Sequence, residues 1–178
     1  MSVDSSRRII VLRHAKADWP SVPDHERPLA DRGRKDAPVA GRWLAGTGII
    51  PDLVLCSTAE RTRETWKLFA HELPVRPRTV YEERLYEASP GQLIEVLQEV
   101  PEEVETVLLV GHNPGVQGLT DVLAGGHEAD TLPRLRSTGF PTAGIAVLTV
   151  DVPWKAVEPG VAHLTTFYSP KDSAGTNS

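Results

Sequence analysis

The 178-residue chain predicts an α/β domain with a mainly parallel sheet, and three observations lead there. Short apolar runs alternate with stretches of helical periodicity, the pattern of strands joined by crossover helices. Three of these runs are apolar throughout, as in strands covered on both faces: Ile9–Leu12, Leu53–Cys56 and Val107–Val110. Each stops abruptly on polar residues: Arg13-His14, Ser57 followed by Arg61, and His112-Asn113. In parallel sheets, ligands bind beyond the carboxyl ends of the strands, where all of these residues fall.

In chain order, residues 1–7 are polar and read as a loose start, and residues 8–13 form the first strand. Trp19, Pro20, Pro23 and Pro28 make residues 15–30 an irregular loop that overhangs the end of that strand. Asp31 is the expected N-cap of a helix to about residue 45, with Ala37, Ala40, Gly41 and Leu44 on one face and Gly46 and Gly48 at its end. After strand 53–56, Ser57 and Glu60 form an S-x-x-E capping pattern, and Thr62, Thr65, Trp66 and Phe69 follow at helical spacing. Arg61 then falls in the first turn.

Thr79–Tyr81 is a short strand, and Ser89-Pro90-Gly91-Gln92 opens a helix with Leu93, Ile94 and Leu97 inward, stopped by Pro101. Strand Thr106–Val110 leads to Asn113-Pro114, an N-cap and proline opening a helix that Gly125-Gly126 closes. Residues 127–142 read as loop, Ile145–Val150 and His163–Phe167 as strands, and 169–178 as a disordered tail, giving one domain over 1–168.

Composition narrows the functional classes. A net charge of -5 argues against a broad nucleic-acid surface, so an anion site must be a local concentration of positive charge. No apolar stretch approaches the roughly 20 residues that span a bilayer. The chain starts without an apolar leader, and its single cysteine, Cys56, can form no internal disulfide. These features point to a cytoplasmic protein.

The strand-end residues suit phosphoryl chemistry. Arg13 and Arg61 are planar, permanently charged forks for phosphoryl oxygens. Helix N-termini after Ser57 and Asn113 add N–H donors, and Lys16 adds positive charge in the adjoining loop. Neutral imidazole is a nucleophile near pH 7, so His14 can attack phosphorus while His112, if protonated, donates to a phosphoryl oxygen. A leaving alkoxide needs a general acid, for which Glu87 is the candidate, with Glu82 and Glu83 in reserve.

Other chemistries fit less well. A cysteine phosphatase loop needs arginine six residues after Cys56, where Thr62 stands. Gly46-Thr47-Gly48 ends in Pro51 rather than a third glycine, and neither His71-Glu72 nor His127-Glu128 has the second histidine of a zinc helix. His25, His71, His127 and His163 read as surface or loop residues, and no metal or cofactor site is indicated.

Four blocks together resemble the histidine phosphatase (phosphoglycerate mutase-like) superfamily. Leu12-Arg13-His14-Ala15 is similar to its L-R-H-G signature. The run Ser57 to Thr65, containing Arg61, is similar to its S-x-x-x-R-x-x-x-T block. Val110-Gly111-His112-Asn113 resembles its second histidine block, and Arg84-Leu85-Tyr86-Glu87 the segment bearing the proton donor. The resemblance implies a three-layer α/β/α sandwich, a phosphorylated His14, a phosphate pocket of Arg13, Arg61 and His112, and no metal. Arg27-Pro28-Leu29 with Arg32-Gly33, in so short a chain, resembles the small SixA branch, which implies phosphohistidine on a protein as substrate. Phosphatase action on small phosphomonoesters and a non-catalytic phosphate-binding module are the competing expectations. Two departures stand out. Ala15 replaces the usual glycine, and Pro20 stands where the mutases have asparagine.

Overall fold

A computed structural model describes residues 6–175 of the chain, with backbone alone for 173–175. Seven strands form one sheet among the described residues: β1 Arg7–Arg13, β2 Leu53–Cys56, β3 Arg78–Tyr81, β4 Thr106–Gly111, β5 Ala124–His127, β6 Ile145–Val150 and β7 Ala162–Tyr168. Their order is β3-β2-β4-β1-β6-β7-β5. β6 pairs antiparallel with both of its neighbours, and the other four pairings are parallel. The helices are α1 Asp31–Thr47, α2 Glu60–Ala70, α3 Pro90–Gln98, α4 Gly115–Leu123, α5 Thr131–Thr138 and α6 Pro170–Gly175.

The all-apolar strands divide their side chains between two cores. Ile9, Val11, Val107 and Leu109 pack against Leu93 and Leu97 of α3, Leu119 of α4 and Leu135 of α5. Ile10, Leu12, Leu108 and Val110 face the other way, onto Ala40 and Leu44 of α1 and Phe69 of α2. A period of two, with both faces covered, produces the three-layer α/β/α sandwich.

Several local boundaries differ from expectation. Ala30 rather than Asp31 is the N-cap of α1, which runs through Gly46 and ends at Gly48 with φ 80°. The Ser57–Glu60 box does not form. Ala59 is the cap of α2, and the Ser57 hydroxyl is used elsewhere. The box at Ser89 does form, with both reciprocal bonds. Pro114, not Asn113, precedes the first residue of α4, and Gly125-Gly126 lie in the edge strand β5. Residues 127–142 contain α5, whose Pro133 sits in the first turn, where no intrahelical N–H bond is needed. In the segment expected to be a tail, Pro170–Gly175 form α6, and residues 176–178 lie outside the described residues.

The loop after β1 is fastened at both ends. Ala17 bridges to Leu29, and the Ala30 N–H donates to the Lys16 carbonyl at 2.9 Å. Gly33 is required by this closeness: a Cβ there would lie 2.2 Å from the Lys16 oxygen. Inside the loop, the Arg27 guanidinium stacks on Trp19 at 3.3 Å and donates to the Asp18 carbonyl and the Asp24 carboxylate.

Candidate active site

Parallel β1, β2 and β4 end side by side, so residues distant in sequence meet at one edge of the sheet. His14 follows β1 and is buried. Its Nδ1 lies 2.7 Å from the Ala15 carbonyl oxygen, which can only accept. Nδ1 therefore carries the proton, and Nε2 presents its lone pair. Burial, with help from nearby cations, lowers the His14 pKa to about 3, so the ring is neutral at physiological pH.

Ala15 in place of glycine is accommodated without strain. Among the described non-glycine residues, positive φ occurs only at Glu87, Ala129 and Ala143. The Ala15 methyl packs in the core, and its N–H donates to the Thr65 hydroxyl at 3.0 Å.

The His112 ring centroid lies 5.4 Å from that of His14. Its Nε2 is 2.8 Å from the Ser57 hydroxyl oxygen, which also accepts a long bond from the Ala59 N–H. Ser57 is fully buried, and its hydroxyl is turned to His112. His112 Nε2 is the acceptor within reach of the Ser57 proton. Donation there leaves the neutral ring protonated at Nδ1, a buried atom with no protein partner. Burial first, and then Arg61, lowers the His112 pKa to about 4. A neutral His112 therefore still carries a donor, at Nδ1.

Arg13 donates to the Phe140 carbonyl at 2.9 Å, and its Nε is buried without a partner. Asn113 donates to the same carbonyl at 3.0 Å and accepts from the Gln117 N–H, so its amide braces the Phe140 turn. Arg61 is buried in the first turn of α2. Its Nη1 donates to the Asp24 carbonyl at 2.8 Å and its Nη2 to the Asp24 carboxylate at 3.0 Å. Tyr86 also donates to that carboxylate. The Tyr86 hydroxyl, with Arg27 and Arg61, holds Asp24 well below the usual carboxylate range.

Two cavities flank this cluster. One, of about 710 Å³, is lined by Asp24, Arg61, Tyr86, Glu87 and His112. Glu87 is exposed on its wall, with φ 56°. The reserves point to other uses: Glu82 is paired with Arg84, and Glu83 is exposed. The second cavity, of about 660 Å³, is lined by Arg13, Lys16, Arg32 and Lys171 among others, so Lys16 stands apart from Arg61 and His112. No cluster of metal-ligating side chains occurs among the described residues.

Sequence reasoning missed Asp24, Tyr86 and His25. His25, expected at the surface, is half-buried, bonds the Thr58 hydroxyl and meets the Tyr86 ring edge-on. None of these has a strand end or a periodic pattern to mark it. The one available hint was the pairing of an acid and a base in Asp24-x-x-Arg27.

The family model described as histidine phosphatase superfamily (branch 1) matches residues 9–122. The Mycobacterium tuberculosis protein Rv1276c is 45% identical over 163 residues, covering 90% of this chain and all of that protein. Among solved structures, one named for the phosphohistidine phosphatase SixA of Nakamurella multipartitia superposes with TM-score 0.79 at 28% identity, covering 94% of this chain and 98% of that one. A second, named for SixA of Agrobacterium tumefaciens, gives 0.76 at 31%, covering 92% and 99%.

Proposed function

The chain belongs to the histidine phosphatase superfamily, and on that premise we propose that it hydrolyses phosphohistidine on proteins through a phosphorylated His14. His14 Nε2 attacks phosphorus, and the bond from phosphorus to the substrate nitrogen breaks with its electron pair going to that nitrogen. Water then attacks the phosphohistidine at His14, releasing phosphate and restoring the imidazole. Arg13, Arg61 and the His112 Nδ1–H take the charge that develops on the phosphoryl oxygens. No step calls for a metal, and the enzyme works in the cytoplasm.

The observation that carries the mechanism is the bond from His14 Nδ1 to the Ala15 carbonyl, which leaves Nε2 with the lone pair of a neutral ring, near His112 and within the electrostatic influence of Arg13 and Arg61. Support for a protein substrate comes from the likeness to structures named for SixA and from the short connection between α2 and α3. His14→Ala should abolish both hydrolysis and the trapping of an acid-labile phosphoenzyme, and a fully active variant would sink the mechanism. Comparing kcat/KM on a phosphohistidine protein and on a panel of monoesters tests the substrate.

The placement of Glu87 favours a second reading, hydrolysis of small phosphomonoesters. It lines the cavity of Arg61 and His112, where an acid for an alkoxide would stand. In that case Glu87→Gln slows monoester cleavage about 10²-fold or more and phosphohistidine cleavage far less. An equal effect on both would remove Glu87 as the acid. A chain that releases no phosphate from any substrate would instead be a binding module.

A further inference from the structure

Arg61 spends part of its fork on a carboxylate that a phosphoryl pocket does not obviously need. Asp24 Oδ2 accepts from Arg61 Nη2 at 3.0 Å and from the Tyr86 hydroxyl, and Oδ1 accepts from Arg27 Nη1 at 3.0 Å. A carboxylate offers about four acceptor positions, so one remains. The side chain is still 47% exposed, and it lines the cavity that opens from Arg61 and His112. An anion beside a phosphate site repels substrate unless it meets something cationic.

The reaction supplies such a group. Phosphohistidine expels its nitrogen readily only when the distal ring nitrogen carries a proton, so that neutral imidazole departs rather than imidazolide. Before cleavage, that ring bears positive charge and one outward N–H. We propose that Asp24 is a specificity-determining residue that accepts this N–H and holds the leaving imidazole in its protonated form. The proposal rests on the phosphohistidine reading and adds a residue to it. The proton stays on the distal nitrogen throughout, the bond from phosphorus to nitrogen breaks toward the ring, and His14 takes the phosphoryl group. Asp24 itself neither gains nor loses a proton. The three donors that hold it keep it ionised, as the role requires. An alkoxide or phenolate leaving group develops negative charge instead, so the same carboxylate discriminates against oxygen esters.

The test uses the full-length protein, N-phosphoimidazole and p-nitrophenyl phosphate. Asp24→Asn should lower kcat/KM on N-phosphoimidazole by about 10- to 100-fold, the scale of one hydrogen bond to a charged group. Cleavage of p-nitrophenyl phosphate should rise rather than fall, because its leaving group needs no proton and its developing phenolate no longer faces a carboxylate. That retained activity also shows that the variant folds. Parallel loss on both substrates would mean that Asp24 only positions Arg61, and would overturn the proposal; so would no loss on either. Tyr86→Phe removes one donor but keeps the charge, so the ratio of the two activities should hold. A ratio that falls as far as in Asp24→Asn also overturns it. A wild-type protein that shows the Asp24-dependent preference but ignores phosphohistidine proteins would leave this proposal standing and remove only the protein substrate.

Discussion

The two cavities beside the paired histidines are close in size and opposite in charge. The first is lined by Asp24 and Glu87 beside the buried Arg61. The second gathers Arg13, Lys16, Arg32 and Lys171, with Asp36 already paired to Arg32. Asn113 lines both. The asymmetry comes from which loops lie over the two arginines. Arg61 is covered by the 18–27 loop, whose carboxylate it binds, whereas Arg13 is pinned by a backbone carbonyl, that of Phe140, and remains next to other cations. In a chain of net charge -5, the basic side is a local exception.

The arginines give the largest contrast. Arg61→Ala and Arg13→Ala should each lower kcat/KM by about 10²- to 10³-fold, the usual cost of losing a donor to developing charge. They should differ in coupling. Asp24→Ala and Arg61→Ala touch the same ion pair, so their effects in a double-mutant cycle should be strongly non-additive. Asp24→Ala and Arg13→Ala share no contact and should add. Additivity in both cycles would mean that the Asp24 bonds to Arg61 do not matter in solution.

A smaller effect is expected from the basic cavity. Lys16→Glu should raise KM for a phosphorylated acidic protein about two- to fivefold, leave kcat unchanged, and lose its effect as salt is raised past about 0.5 M. Measuring KM against ionic strength for both proteins checks this. A fall in kcat of the size seen for Arg61→Ala would place Lys16 at the phosphoryl group after all.

Much of the fold was legible because the inner strands are covered on both faces, which forces continuous apolar runs that stand out in any sequence. The four residues Arg13, His14, Arg61 and His112 were legible for a related reason: each interrupts such a run or opens the helix after it. Peripheral elements were not. β5 is Ala-Gly-Gly-His on the sheet edge, held by pairing with β7 alone, and no composition marks it. α5 buries only Thr131, Leu132 and Leu135 of its eight residues. Ser57 illustrates how a local rule fails. Its spacing to Glu60 fits a cap, but the half-buried His112 imidazole beside it is a better partner for its hydroxyl than a helix end that can start at Ala59.

The sequence by itself determined the alternation of buried strands and helices, and with it the gathering of Arg13, His14, Arg61 and His112 at one sheet edge. Apolar burial is set by residue type and period, so this much needs no coordinates. Only the tertiary structure decided the protonation pattern of the two imidazoles, the burial of Ser57 behind His112, and the arrival of Asp24 and Tyr86 at Arg61. The contacts of Ser57, Asp24 and Tyr86 join residues 37 to 62 positions apart, and their partners are chosen by the shape of the folded chain rather than by any local pattern.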